Sequence, residues 1–104
     1  MAASRLEQLA GIVAQSPGNV LARYGLAMEY ATQGAHAEAV ENFRALMAAS
    51  PNYVAAYYQA GRVFQKMGDV AQARAVLEQG VEASIRAGDS HARGEMEALL
   101  AELR

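Results

Sequence analysis

Cysteine is absent from the 104 residues, which excludes disulfides, thiolate metal sites and a cysteine nucleophile and fits a reducing cytoplasm. Tryptophan is absent as well, and only two prolines, Pro17 and Pro51, interrupt the chain. Lysine occurs once, at Lys66, against eight arginines, with no basic cluster and a formal net charge of −2. An electrostatic footprint for nucleic acid is therefore missing. No apolar run approaches the ~20 residues that would span a bilayer, and the opening Met1-Ala-Ala-Ser-Arg lacks the apolar centre of a signal peptide. The β-branched residues show no period-two alternation, so no strand is expected. Charged residues make up 19% and hydrophobic ones 53%, a globular and not a disordered balance. The length suits one domain, 1–104, with a modest core. The expectation is a soluble, cytoplasmic protein; high Ala and Arg usage points, by composition alone, to a bacterial source.

What is present is an internal echo. Shifting the chain by 34 residues pairs Pro17 with Pro51, Val20 with Val54, Ala22 with Ala56, Tyr24 with Tyr58 and Gly34 with Gly68. Ala37, Ala39, Ala49 and Ser50 meet Ala71, Ala73, Ala83 and Ser84, making nine identities where composition alone gives roughly three. A period of this length marks a supersecondary unit that cannot bury its apolar face alone and stacks on a copy of itself. Stacked units are usually binding surfaces and rarely hold reactions.

Helical spacing runs through nearly the whole chain. Ser4 and Glu7 form a capping box at the start of a first helix with Leu6, Leu9, Ile12 and Val13 on one stripe. Ser16-Pro17-Gly18 ends it, because proline cannot continue a helix. Further helices are expected at about 20–33, 36–49, 53–67 and 70–87, with a last one after Gly88-Asp89-Ser90. Gly34 and Gly68 close the second and fourth as C-terminal caps, and Asp69 opens the fifth. The stripe of the fifth is Val70, Ala73, Leu77, Val81 and Ile85. Connections of a few residues make neighbouring helices antiparallel hairpins. Small residues at mid-helix let backbones approach closely, with Tyr30, Phe43, Phe64 and Leu77 filling the adjacent space.

This pattern resembles the tetratricopeptide repeat. Residues 20–53 carry it as Leu26, Ala27, Tyr30, Ala39, Phe43 and Pro51, and residues 54–87 as Tyr57, Gly61, Phe64, Ala73, Leu77 and Gly80. Arg23 stands where an aromatic is usual, Leu46 where a small residue is usual, and Ile85 replaces the closing proline. Residues 2–16 look like the second half of a repeat, and 90–104 like a capping helix with a solvated face. The resemblance implies an all-α, right-handed stack of antiparallel helical hairpins, an α-solenoid of about six helices.

It also implies that the first helix of each hairpin lines a concave face that contacts ligand peptides. Carried over by position, the contact residues are Leu21, Tyr24, Met28 and Thr32 in the first repeat, and Ala55, Tyr58, Arg62, Gln65 and Lys66 in the second. Helical spacing independently puts Tyr58, Arg62 and Lys66 on one stripe. Packing between adjacent helices is the plainer role for the two tyrosines. The implied partner is a protein or peptide, with neither nucleic acid nor membrane, and a weak homodimer over Leu6, Leu9, Ile12 and Val13 is the alternative. No catalytic residue, cofactor or metal is expected. His36 and His91 each open a helix without an acid at ligand spacing, nothing around Ser84 or Ser90 resembles a nucleophile turn, and Glu95, Glu97 and Glu102 read as the solvated side of the last helix.

Overall fold

The structure, a computed structural model, describes residues 3–103; Met1, Ala2 and Arg104, at the outer ends of the expected terminal segments, lie outside the described residues. Within it the chain forms six helices and no strand: α1 (Arg5–Gln15), α2 (Val20–Thr32), α3 (His36–Ala49), α4 (Val54–Lys66), α5 (Val70–Ala87) and α6 (Ser90–Glu102). Among the described residues no helix is long and apolar enough to cross a membrane.

Local chemistry sets most of these boundaries. At α1 the Ser4 hydroxyl accepts from the Glu7 N–H at 3.1 Å, and the Glu7 carboxylate accepts from the Ser4 N–H at 3.4 Å, so orphan amides at the helix start are satisfied reciprocally. Asn19, Asp69 and Asp89 accept likewise from the amides of Ala22, Gln72 and Ala92. One exit recurs three times. Gly34, Gly68 and Gly88 take φ of +77°, +77° and +69°, a left-handed turn that favours glycine. In each case the amide after the glycine donates to a carbonyl five residues back: Ala35 to Tyr30, Asp69 to Phe64 and Asp89 to Ser84. Because Ile85 replaces a proline, nothing stops α5 early, and it runs to Ala87 as expected.

The small residues are where close packing needs them. Ala27, Ala39 and Ala73 are fully buried, and a Cβ added at Gly61 would lie 2.6 Å from Leu77 Cδ2. Phe43, Leu46, Leu77 and Met96 are the large side chains sealed between the helices. Tyr57 reaches across to donate its hydroxyl to the Pro51 carbonyl at 2.7 Å. Arg44 lays its guanidinium 5.5 Å from the centroid of the Phe64 ring, a cation–π contact.

Three residues of the expected apolar stripes face solvent: Ile12, Val70 and Ile85. On α5 the buried set is Ala73, Val76, Leu77, Gly80, Ala83 and Ser84. Steps of four residues overshoot a full turn by about 40°, so a stripe read as Leu77, Val81, Ile85 rotates off that face. Val81 is half-buried and Ile85 is out. Val70 sits in the first turn, past the covered part of the face. On α1 only Val13 is buried, while Leu6 and Leu9 are half-covered against α2.

Each helix packs on its neighbours in the chain, and α4 additionally touches α2 and α6. Among the described residues no comparable contact joins α1 to α3 or α3 to α5. The even-numbered helices are therefore crowded together and the odd-numbered ones splayed, which curves the stack with α2, α4 and α6 on its inner side. The whole measures 45 × 28 × 19 Å.

Candidate interaction surface

The inner side is organised around α4. Residues Ala55, Gln59, Arg62 and Lys66 stand at i, i+4, i+7 and i+11, one stripe of the helix. Two hollows flank this stripe. One, of about 250 Å³, lies between α4 and α6 and is lined by Val54, Ala55, Tyr58, Gln59, Asp89, His91, Ala92 and Glu95. The other, of about 120 Å³, lies between α2 and α4 and is lined by Met28, Ala31, Thr32, Gln59, Arg62, Val63 and Lys66. Gln59 belongs to both.

The structure thus gathers Met28, Thr32, Arg62 and Lys66 at one hollow and Ala55 and Tyr58 at the other. Leu21 and Gln65 are exposed but line neither; the Leu21 side chain stands 74% in solvent at the start of α2. Tyr24 is held within the fold. Its ring meets Phe43 edge-on at 6.1 Å and lies 5.3 Å from Tyr53. Burial pushes its hydroxyl above the ordinary tyrosine range, Tyr53 adds to this, and a hydrogen bond with the Gln59 side chain pulls the other way. Tyr24 packs on Phe43 of α3 and on Tyr53 ahead of α4 and lines neither hollow, while Tyr58 lines the larger one.

Charge is divided between the hollows. Around the larger one are Asp89, whose Oδ1 caps α6, and Glu95, which pairs with His91 at 3.3 Å. That pair corrects the reading of His91 as lacking an acid at ligand spacing: the two are i and i+4 on α6 and share a face. Even so, no group of three His, Asp or Glu side chains gathers as a metal site among the described residues. Around the smaller hollow are Arg62 and Lys66. Every other described cation is engaged: Arg5 with Glu29, Arg23 with Asn42, Arg44 with Gln72, Arg74 with the Leu103 carbonyl, Arg86 with Asn52 and Arg93 with Glu97. Arg62 and Lys66 alone have no partner among the described residues.

Gln59, Asp89 and Glu95 are surface members that sequence reasoning missed. The regular spacing of Gln59 with Arg62 and Lys66 was the available signal. Glu95 carried none, because its hollow exists only once α6 lies alongside α4.

An all-α stack of short antiparallel hairpins, curved so that alternate helices form one continuous face, defines a helical-repeat protein of the solenoid class. A tetratricopeptide repeat family model matches residues 30–84. A TPR repeat-containing protein of Pseudomonas aeruginosa is 33% identical over 98 residues, spanning 94% of this chain and 93% of that protein. The chain belongs to the tetratricopeptide repeat family. Among solved structures, a Bordetella parapertussis protein is 30% identical with a TM-score of 0.84, over 98% of this chain and 89% of that one. The TPR2B domain of yeast Sti1, solved as a complex with pHsp70, shares the fold at a TM-score of 0.87 and 15% identity, over 94% of this chain and 78% of that one.

Proposed function

We propose that the protein is an interaction module that seats a peptide segment or a partner helix along the face made by α2, α4 and α6, with residues 20–53 and 54–87 as its two full repeats. The observation that carries this reading is the pair of hollows meeting at Gln59, which combine apolar floor (Met28, Val63, Tyr58) with uncommitted charge (Arg62, Lys66). Tetratricopeptide folds serve protein–protein interaction, and the yeast domain above that shares this fold is solved as a complex. Rigid helices presenting fixed side chains lose little entropy on binding. With so few repeats the contact is small, so affinity in the micromolar range is expected. Affinity purification from the native cell extract, repeated with Tyr58→Ala, tests the reading. A partner retained at unchanged affinity would remove this face from consideration.

A second reading is favoured by one observation. Ile12 is 44% exposed on α1 beside the half-covered Leu6 and Leu9, an apolar strip that a second copy could cover. Sedimentation over a range of concentrations decides it: a strict monomer eliminates the dimer, and Ile12→Asp should abolish any dimer found.

A further inference from the structure

We propose that the ligand of this face is an internal, extended peptide segment with an acidic side chain held between Arg62 and Lys66 and a basic side chain, about four residues away on the same face of the chain, facing Glu95. The proposal rests on the groove reading above and adds the chemistry of what the groove selects.

Three observations carry it. First, Arg62 and Lys66 are the two described cations without an anionic or hydrogen-bonding partner, and they share one stripe and one hollow. In a protein of net charge −2, leaving these two uncommitted while six arginines are tied down reserves them for an external anion. A carboxylate between a guanidinium and an ammonium makes charge-assisted hydrogen bonds, stronger than neutral ones. Second, the opposite sign stands at the other hollow. Glu95 is half-exposed and its partner His91 is 88% exposed, so a ligand guanidinium could take the place of a solvated imidazole. Asp89 contributes further negative charge there, although one of its oxygens is occupied by the α6 cap. Third, the two hollows meet at Gln59, so the ligand chain can pass through. From Ala55 to the level midway between Arg62 and Lys66 is about 13 Å along the helix axis, the reach of about four residues of extended peptide, a spacing that returns the side chain to the same face.

The divided charge also argues against other ligands. A nucleic-acid backbone would bring phosphates past Asp89 and Glu95 and be repelled there. A chain end anchored only by its terminal carboxylate would leave the larger hollow unused.

The test uses short, labelled, C-terminally amidated peptides with Glu and Arg about four positions apart on an Ala/Leu background, in both sequence orders, beside Glu/Glu and Arg/Arg counterparts and free-acid versions of each. Fluorescence anisotropy against the full chain should show one mixed-charge order binding about ten-fold tighter than either single-sign peptide. In Arg62→Glu/Lys66→Glu that affinity should fall about ten-fold and the Arg/Arg peptide should become preferred. Both side chains are exposed, so the variant should fold, and its circular dichroism spectrum should match that of the parent. Equal binding of mixed and single-sign peptides, a preference unaltered by the charge reversal, binding only of free-acid versions, or binding of none overturns the proposal. The groove reading is judged separately: if peptides bind without charge preference but lose affinity in Tyr58→Ala, the groove stands and the charge assignment falls.

Discussion

Gly80 and Tyr57 explain two irregularities at once. A Cβ at Gly80 would lie 2.6 Å from Tyr57 Cβ and would also collide with Met96 Sδ. The small residue makes room for the large one. At the positions 34 residues earlier the pair is different: Leu46, 1% exposed, stands for Gly80, and Arg23 for Tyr57. Arg23 donates to Asn42 of α3 at 3.1 Å, and Leu46 is sealed in the core. Gly80→Ala should therefore lower stability by ~1–3 kcal/mol through overpacking, whereas Leu46→Ala should lower it by ~2–5 kcal/mol through a cavity. Urea denaturation of the two variants checks both figures. Tyr24 adds a dependence on pH. Its hydroxyl is raised above 10.0, so the fold favours the neutral phenol. This contribution is complete below the ordinary value and is lost as pH rises through the higher, folded one. Tyr24→Phe should show a smaller alkaline loss of melting temperature than the parent protein.

Helices and their ends were legible wherever the cause is local. The Ser4–Glu7 box, the Asp69 cap and the glycines at 34, 68 and 88 act within a few residues of themselves, so the sequence displays them directly. Helix faces were less legible. Ile12, Val70 and Ile85 fit the periodicity, yet which part of an apolar arc is covered depends on where the neighbouring helix ends. The same holds for the candidate surface: Arg62 and Lys66 follow from one helix, but Gln59 and Glu95 acquire their positions only from the juxtaposition of two. Element stability is open to measurement. Asp69→Ala removes the side-chain acceptor for the Gln72 amide and should reduce stability by about 1 kcal/mol, read as a lower urea midpoint. Because the lost bond lies at the start of α5, amide exchange should accelerate in its first turn.

At the scale of the whole molecule, the described residues form two apolar clusters of unequal size. The larger spans α2 to α6, and the smaller joins α1 to α2 through Val13, Ala22 and Leu26, with Tyr30 touching both. Hydrogen exchange should accordingly find α1 opening well before the remainder. The far end behaves differently. Met96, Leu99 and Leu103 are buried in the larger cluster, so α6 is part of the core as well as a solvated cover. Deleting residues 90–104 should lower the melting temperature sharply and promote aggregation, since the apolar sides of α4 and α5 would be uncovered.

Because packed helices are always adjacent or next-but-one along the chain, assembly never has to close a loop longer than one hairpin and its neighbour. Such a topology has low contact order, and stopped-flow refolding is expected on the μs–ms timescale. Growth can start from whichever hairpin collapses first and spread outward, so a slow extra phase would have to come from proline isomerisation at Pro17 or Pro51 and not from a search for distant partners.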